Sequence, residues 1–464
     1  MKRFGKIRKI LLRALLVLLV LGCAGWLFEN WRGAKAWEEA KARAEAAGVS
    51  LVRADYAGPE IPDEENLLLN PVFAEEFENE GEDRLREWAR LPGVDGKTYR
   101  VQGPRPWSGT SVDYRNYFKD ELSEDEARDR LAEWASDFEG RLDRLAKVIL
   151  KFPARPVFLE GAATGPLFAE TDWILAFRNL THCYRDSGLV AIHSQEGEKA
   201  FQSVTVLFRL AEMTIGADVI SVLVSNAFRS MTLDLIWEGL RLQVWTDGQL
   251  ENFSKYLSEP RFEQNMMRAL SYEAAFQVDV LEFQVDAPKE LEQFDPFGYD
   301  QDGFARWYYY QGPQGWKDQR RAFVVSRSLD LKEILQDRDF KRLEEADRSF
   351  SVSDWCPMFA VVAGQSLIAR AASSGVWKPE TKVRICQVAI AAERVRQWKG
   401  SYPKTLAELT LDTPVQDSTD PEGRDLAYEL GPRGRPQIWS RHQEELGEKG
   451  DEKLRWQFWA EESR

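Results

Sequence analysis

The residues of this chain whose types could do chemistry are few and widely spaced. Its three histidines, His182, His193 and His442, lie far apart and show no H-x-x-x-H spacing, so a histidine-based zinc or metalloprotease site is not expected. Four cysteines, Cys23, Cys183, Cys356 and Cys386, form no C-x-x-C pair; the last three leave open one disulfide or a set of buried thiols. There is no G-x-S-x-G elbow, and the S-x-x-K from Ser401 to Lys404 contains Pro403 and reads as a turn. Gly96-Lys97-Thr98 resembles the end of a phosphate-binding loop, but the first glycine that loop needs is replaced by Leu91. Asp300-Gln301-Asp302-Gly303 has the core of a calcium loop, yet positions 1 and 12 of that register are Gly298 and Tyr309, which removes two carboxylate ligands. No residue is therefore assigned as catalytic, cofactor-binding or metal-ligating, and no cofactor is expected.

Two features remain open to binding chemistry. Seventeen tryptophans suggest stacking on sugars, but Trp134, Trp173 and Trp237 fall on apolar helix faces and read as core. The cluster from Asp295 to Trp316, with Tyr308, Tyr309 and Tyr310, has no helical pattern and is either a packed loop or a binding platform. The acidic run Glu75 to Asp83 reads as solvated. Among 76 acidic residues, no catalytic pair can be chosen without geometry.

The elements that would position such groups are mostly helices. Residues 10–28, ILLRALLVLLVLGCAGWLF, form a nineteen-residue apolar run whose one charge, Arg13, can snorkel. Lys2, Arg3, Lys6, Arg8 and Lys9 precede it, so the N-terminal tail 1–9 is expected in the cytoplasm and the rest of the chain outside. A single-pass anchor in the inner (cytoplasmic) membrane is the leading reading. Val20-Leu21-Gly22-Cys23 also resembles a lipobox, which leaves lipidation of Cys23 as the alternative; the apolar Trp26-Leu27-Phe28 beyond the cysteine favours the anchor. The net charge is −14 although six basic residues sit at the anchor, so the body is strongly acidic and no nucleic-acid partner is expected.

After the anchor, residues 29–48 read as a juxtamembrane helix and stalk capped at Gly48, and 49–122 as an extended Pro-rich segment over the body. An α-helical body is expected over 123–395. Ser123 opens one helix with a capping box, marked by Leu131, Trp134, Phe138, Leu142, Leu145 and Ile149. Phe177, Leu180 and Tyr184 mark the next, closed by Gly188. Phe201, Val204, Leu207, Phe208, Ala211 and Ile215 mark a third, and Val224, Phe228, Met231 and Leu235 a fourth. In the fourth, apolar residues spill beyond one stripe (Ile220, Leu223, Ala227, Trp237), which implies neighbours on several sides. Thr246 opens a short helix with a second capping box. Helices are expected from Arg261 towards Val285, over 326–350, over 358–372, and from Lys378 to Lys399. Residues 396–464 form a small α+β module with a hairpin of LAYEL and PQIWS. The fold class is thus mainly α: an antiparallel helical array with a C-terminal α+β module and one transmembrane helix.

IPDEENLLLNPVF, GEKAFQSVTVLFRLAEM with IWEGL and WTDGQL, and ERVRQWKGSYPKTLAEL with DPEGRDLAYEL together resemble a group of membrane-anchored proteins of Planctomycetes and Verrucomicrobia. That resemblance spans most of residues 29–440 and brings no activity and no catalytic residues. The tail is also faintly similar to the C-terminal module of type II secretion pseudopilins. It departs from them at Arg441-His442, where those proteins carry an acidic Gly-Gly loop. The expected function is a membrane-anchored extracytoplasmic structural or interaction protein of the bacterial cell envelope. Its expected partners are the bilayer through residues 10–28 and another envelope protein or a glycan. The alternative is a tethered, carboxylate-dependent hydrolase of envelope glycans.

Overall fold

The apolar run and the Ala/Glu/Lys-rich stretch after it form one continuous helix in the computed structural model: α1, Lys2–Ala46. Residues 2–56, 62–73, 123–152, 172–258, 261–286, 312–339, 342–343, 375–409, 411, 415–431, 434–442 and 455–458 are described. Gly48 takes the left-handed conformation (φ 64°), and Val49 N–H closes the helix end on the Ala44 carbonyl. The other helices are α2 Glu124–Lys151, α3 Asp172–His193, α4 Gly197–Thr214, α5 Val219–Arg241, α6 Asp247–Leu257, α7 Phe262–Asp286, α8 Gln314–Gln336 and α9 Trp377–Lys399. Strands β1 Ala427–Leu430, β2 Pro436–Trp439 and β3 Arg455–Gln457 form an antiparallel sheet in the order β1-β2-β3. The mainly helical fold with a small C-terminal sheet is as expected.

The chain divides into two compact units that do not follow sequence order: Met1–Tyr56 with Leu270–Arg370, and Ala57–Ala269 with Ala371–Arg464. In the first, α1 lies along α8. Gly315 N–H donates to Asn30 Oδ1 (2.9 Å), Arg32 reaches Gln319 (2.8 Å), and Arg43 pairs with Asp330 (2.6 Å), so the two helices run parallel. Gly33, Trp37, Ala40 and Ala44 repeat at heptad spacing along the seam. Ala40, Ala44 and Val49 pack with Ala274, Val278, Ala322, Val325 and Leu329 into one core. A Cβ at Gly33 would overlap the backbone of Gly315, and one at Gly315 would overlap that of Glu29. The helix beyond the apolar run is therefore no free stalk. Its small residues let two backbones touch.

In the second unit, α5 is the central element and packs on α3, α4 and α9. Phe228, Leu235, Ile236 and Trp237 are buried; of the four residues expected beyond the main stripe only Trp237 is in the core, Leu223 being half-buried and Ile220 and Ala227 exposed. Ser225 donates to the Ala211 carbonyl of α4 (2.7 Å), and Trp237 Nε1 donates to the Gln457 carbonyl of β3 (2.9 Å). Both expected capping boxes are present, at Ser123 with Glu126 and at Thr246 with Gln249. Hairpin β1-β2 pairs Ala427 with Trp439 and Leu430 with Pro436. Leu67 and Phe73, from the Pro-rich segment, are buried in this unit.

Gly188 does not close α3. It lies inside the helix, where a Cβ would stand 3.0 Å from both Leu235 and Ser203, so it serves the close approach of α4 and α5. The helix ends two turns later, where Gln195 adopts φ 60° and Glu196 N–H reaches the Ala191 carbonyl. Gln243 and Arg338 end α5 and α8 in the same left-handed way, without glycine. Helix α8 also begins twelve residues before the expected start at Ser326 and ends at Gln336, so residues 337–339 of the expected helix are not helical. Residues 344–374, which include the expected helix at 358–372, lie outside the described residues, as does all of 74–122.

Candidate functional site

A groove runs between α6 and α9 in the second unit. It encloses about 1020 Å³ and is lined by Asp247, Glu251, Lys255, Gln387, Arg394, Trp398 and Glu408, among others. Arg394 crosses it: Nε donates to Asp247 Oδ1 (2.6 Å) and Nη2 stands 3.6 Å from Glu251. Hydrogen bonding from Arg394 holds the Asp247 carboxyl below its ordinary range, and hydrogen bonding from Lys255 does the same for Glu251. With Asp247 and Glu251 clasped by Arg394 and Lys255, the groove suits hydrogen-bonded binding. It does not suit protonation of a leaving group, which needs a carboxyl with a raised pKa. At its rim Trp398 is 82% exposed, with Lys399 Nζ 5.7 Å from the ring centroid.

The same unit holds three buried polar knots, built on Glu238, Glu393 and Asp417. In the first, Glu238 accepts from His193 Nε2 (2.8 Å) and from Arg241 Nε (3.1 Å), with no side-chain exposure. Burial pushes the Glu238 carboxyl up, but the bonds from His193 and Arg241 outweigh it and hold the group below its ordinary range. In the second, Glu393 of α9 accepts from Arg396 Nε (2.9 Å) and Tyr402 Oη (2.7 Å), which fixes the Ser-Tyr-Pro turn after the helix. The third centres on Asp417, which accepts from Thr381 (3.1 Å), the Thr419 backbone and hydroxyl (2.9 and 2.6 Å) and Ser440. Next to it, Asp420 accepts from Arg424 (2.6 Å). The first knot ties α3 to α5, and the second and third tie the C-terminal module to α9.

In the first unit, Lys332 Nζ donates to Ser271 Oγ at 2.6 Å, and burial lowers the lysine's pKa. Ser271 also bonds to Tyr56, whose hydroxyl donates to the Ser50 carbonyl (2.9 Å). The arrangement has the parts of a serine–lysine dyad, but Ser271 is buried in the interior of α7, where the backbone N–H groups are spent within the helix and none can form an oxyanion hole. The trio is a brace between helices.

The structure separates most groups weighed from the sequence. His182 and His193 both lie on α3; His193 alone enters a knot, and among the described residues no group of three or more His, Cys, Asp or Glu side chains could hold a metal. Cys183 and Cys386 are buried, and burial raises both thiols; Cys23 is exposed on α1. Ser401 and Lys404 are exposed, and Lys404 N–H donates to Glu408 (3.1 Å) in a turn. Trp134 and Trp237 are core residues. Trp316 starts α8 and donates to Glu29 (3.0 Å). Gly96-Lys97-Thr98, Asp300 to Gly303, Glu75 to Asp83, Cys356 and the rest of the aromatic cluster lie outside the described residues. The groove and the first knot escaped sequence reading because their partners are long-range: His193 and Glu238 are 45 residues apart, Arg394 and Asp247 147. Compared with family models, curated proteins and solved structures, the chain finds no match.

Proposed function

We propose that the chain is a single-pass membrane protein of the bacterial cell envelope that works by binding, with an extracytoplasmic body held close to the bilayer. The observation that carries this reading is α1. Its apolar window has a mean hydropathy of 2.4 and no burial, with side chains from Ile10 to Phe28 open to the surroundings. Helix α5 is also long and apolar enough to cross a membrane, but it is the packed centre of the second unit. One or two residues past Phe28, Glu29 and Asn30 already hold the first turn of α8. At 1.5 Å per residue, that turn stands about 3 Å beyond the apolar run, level with the headgroups. Trp26, Trp31 and Trp316 cluster at this height, as interfacial tryptophans do. Burial opposes the Glu29 charge, but bonds from Gln319, Trp316 and Arg32 hold its carboxyl below the ordinary range. The clasped carboxylates of the groove favour binding over the carboxylate-dependent hydrolase.

Orientation is tested with a C-terminal reporter active only in the cytoplasm, which should stay silent in intact cells; activity there would reverse the topology. The mode of attachment is tested at Cys23. In an intact span the thiol does no chemistry, so Cys23→Ala should leave the membrane fraction and apparent mass unchanged. Incorporation of labelled fatty acid into the wild type, lost in the variant together with processing, would assign lipid attachment instead.

A further inference from the structure

A second cavity in the same unit, between α5 and α9, encloses about 530 Å³, in the usual range for small-molecule sites. Its walls are mostly apolar: Leu223, Ala227, Met231, Phe262, Pro379 and Val383. Its charged lining among the described residues is Arg229, Lys378 and Lys382 against Asp234. In a chain of net charge −14, this local balance is reversed.

The cationic heads are held at the walls. Lys382 Nζ donates to Ser230 Oγ (3.3 Å), and the Arg229 guanidinium lies over the Phe262 ring, 5.6 Å from its centroid. The mouth is tied by Asn226 Nδ2 donating to the Gly375 carbonyl (2.7 Å). Lys378 and Lys382 are one turn apart on α9, so their charges repel. Desolvation lowers the pKa of Lys382, Asp234 opposes that, and Lys378 adds to it. Desolvation likewise lowers that of Arg229, opposed by Glu212 of α4, and Arg209 of α4 acts on Glu212. Apolar contact alone would be served better by neutral side chains, because gathering like charges in a half-buried cavity costs stability. Such a cluster is what a site for an anion requires.

We propose that the α5–α9 cavity binds a small organic anion, its phosphate or carboxylate head held by Lys378, Lys382 and Arg229 and its apolar body by Ala227, Met231 and Phe262. This assignment does not depend on how the chain is anchored. Four probes separate its parts: phenyl phosphate, benzoate, inorganic phosphate and benzyl alcohol, titrated calorimetrically into the full chain in a non-ionic detergent. Phenyl phosphate or benzoate should bind, inorganic phosphate more weakly, and benzyl alcohol not measurably. In Lys378→Gln/Lys382→Gln, affinity for the binding anion should fall at least ~10-fold, the loss expected for two charge-assisted contacts. In the unliganded variant Asp234 loses the neighbouring charge of Lys382, so affinity, not the melting temperature alone, is the readout.

Absence of binding by both organic anions, equal binding of benzyl alcohol, or unchanged affinity in the double variant would each overturn the proposal. A lower unliganded melting temperature with unchanged affinity would make the lysines structural. Inorganic phosphate binding as tightly as phenyl phosphate would remove the apolar body from the site. Should the double variant not fold, Ala227→Trp narrows the apolar end from an exposed position without touching a cation. The organic anion must then lose at least ~10-fold in affinity while inorganic phosphate is unaffected; any other result rejects the site.

Discussion

Replacing Gly33 with valine should detach α1 from α8 while leaving the apolar run of residues 10–28 intact. The seam tolerates no side chain there, since a Cβ would sit inside the Gly315 backbone, and backbone cannot rotate away as a side chain can. Overpacking in a core usually costs about 1–3 kcal/mol; where the obstacle is main chain, the cost should exceed that and reach about 4 kcal/mol. At 1.4 kcal/mol per tenfold, that is a loss of roughly 500- to 1000-fold in hydrogen-exchange protection along Gln314–Gln336 and Ala36–Ala46. Gly22→Ala and Gly25→Ala meet nothing within 4 Å and should leave protection as it is. Membrane fractionation should be the same for all three variants, because the apolar run is intact. Wild-type protection in Gly33→Val would show that the two helices are not in contact through this glycine.

That seam shows where the sequence was legible and where it was not. Trp31 to Ala47 reads as a solvated stalk because alanine, glutamate and lysine are the composition of an exposed helix. The same stretch places Gly33, Ala40 and Ala44 on one face, and small residues in register equally permit close packing. Nothing local states which partner will come, and that partner, α8, lies about 285 residues away. Helix existence was legible from periodicity and caps, as at Ser123 and Thr246, because a capping box is satisfied within four residues. Helix ends were less so. Gly188 carries the residue type of a stop, but it fills a packing requirement set by Leu235 and Ser203, and the real stops use Gln195, Gln243 and Arg338. Strand β3 is three residues long, too short for a period of two to register. The hydrophobic positions of the body followed from sequence, Ile220 and Ala227 excepted; its polar knots did not, because a buried carboxylate looks like a solvated one until its cations are placed around it.

Glu238 is the knot where that distinction should cost most. Its side chain has no exposure and accepts from both His193 and Arg241, so Glu238→Gln would leave a guanidinium and an imidazole facing a neutral amide in the centre of the second unit. Removing one partner of a buried pair costs about 3–5 kcal/mol; Arg241, with 16% side-chain exposure, can recover some solvation, which places the expected loss near 3 kcal/mol. The measurement is hydrogen exchange in α3 and α5, with Glu251→Gln, on the exposed face of α6, as a control that should change little. The pH dependence separates charge from packing. Because the folded carboxyl is held below its unfolded value of about 4.3, its stabilisation is fully present above that value and lost as pH falls through the folded pKa. The gap between wild type and Glu238→Gln should therefore shrink as pH falls below about 4, where the wild type converges on its variant. A gap that persists undiminished in acid would mean that the glutamine is merely a poor fit and that the ion pairs contribute no stability.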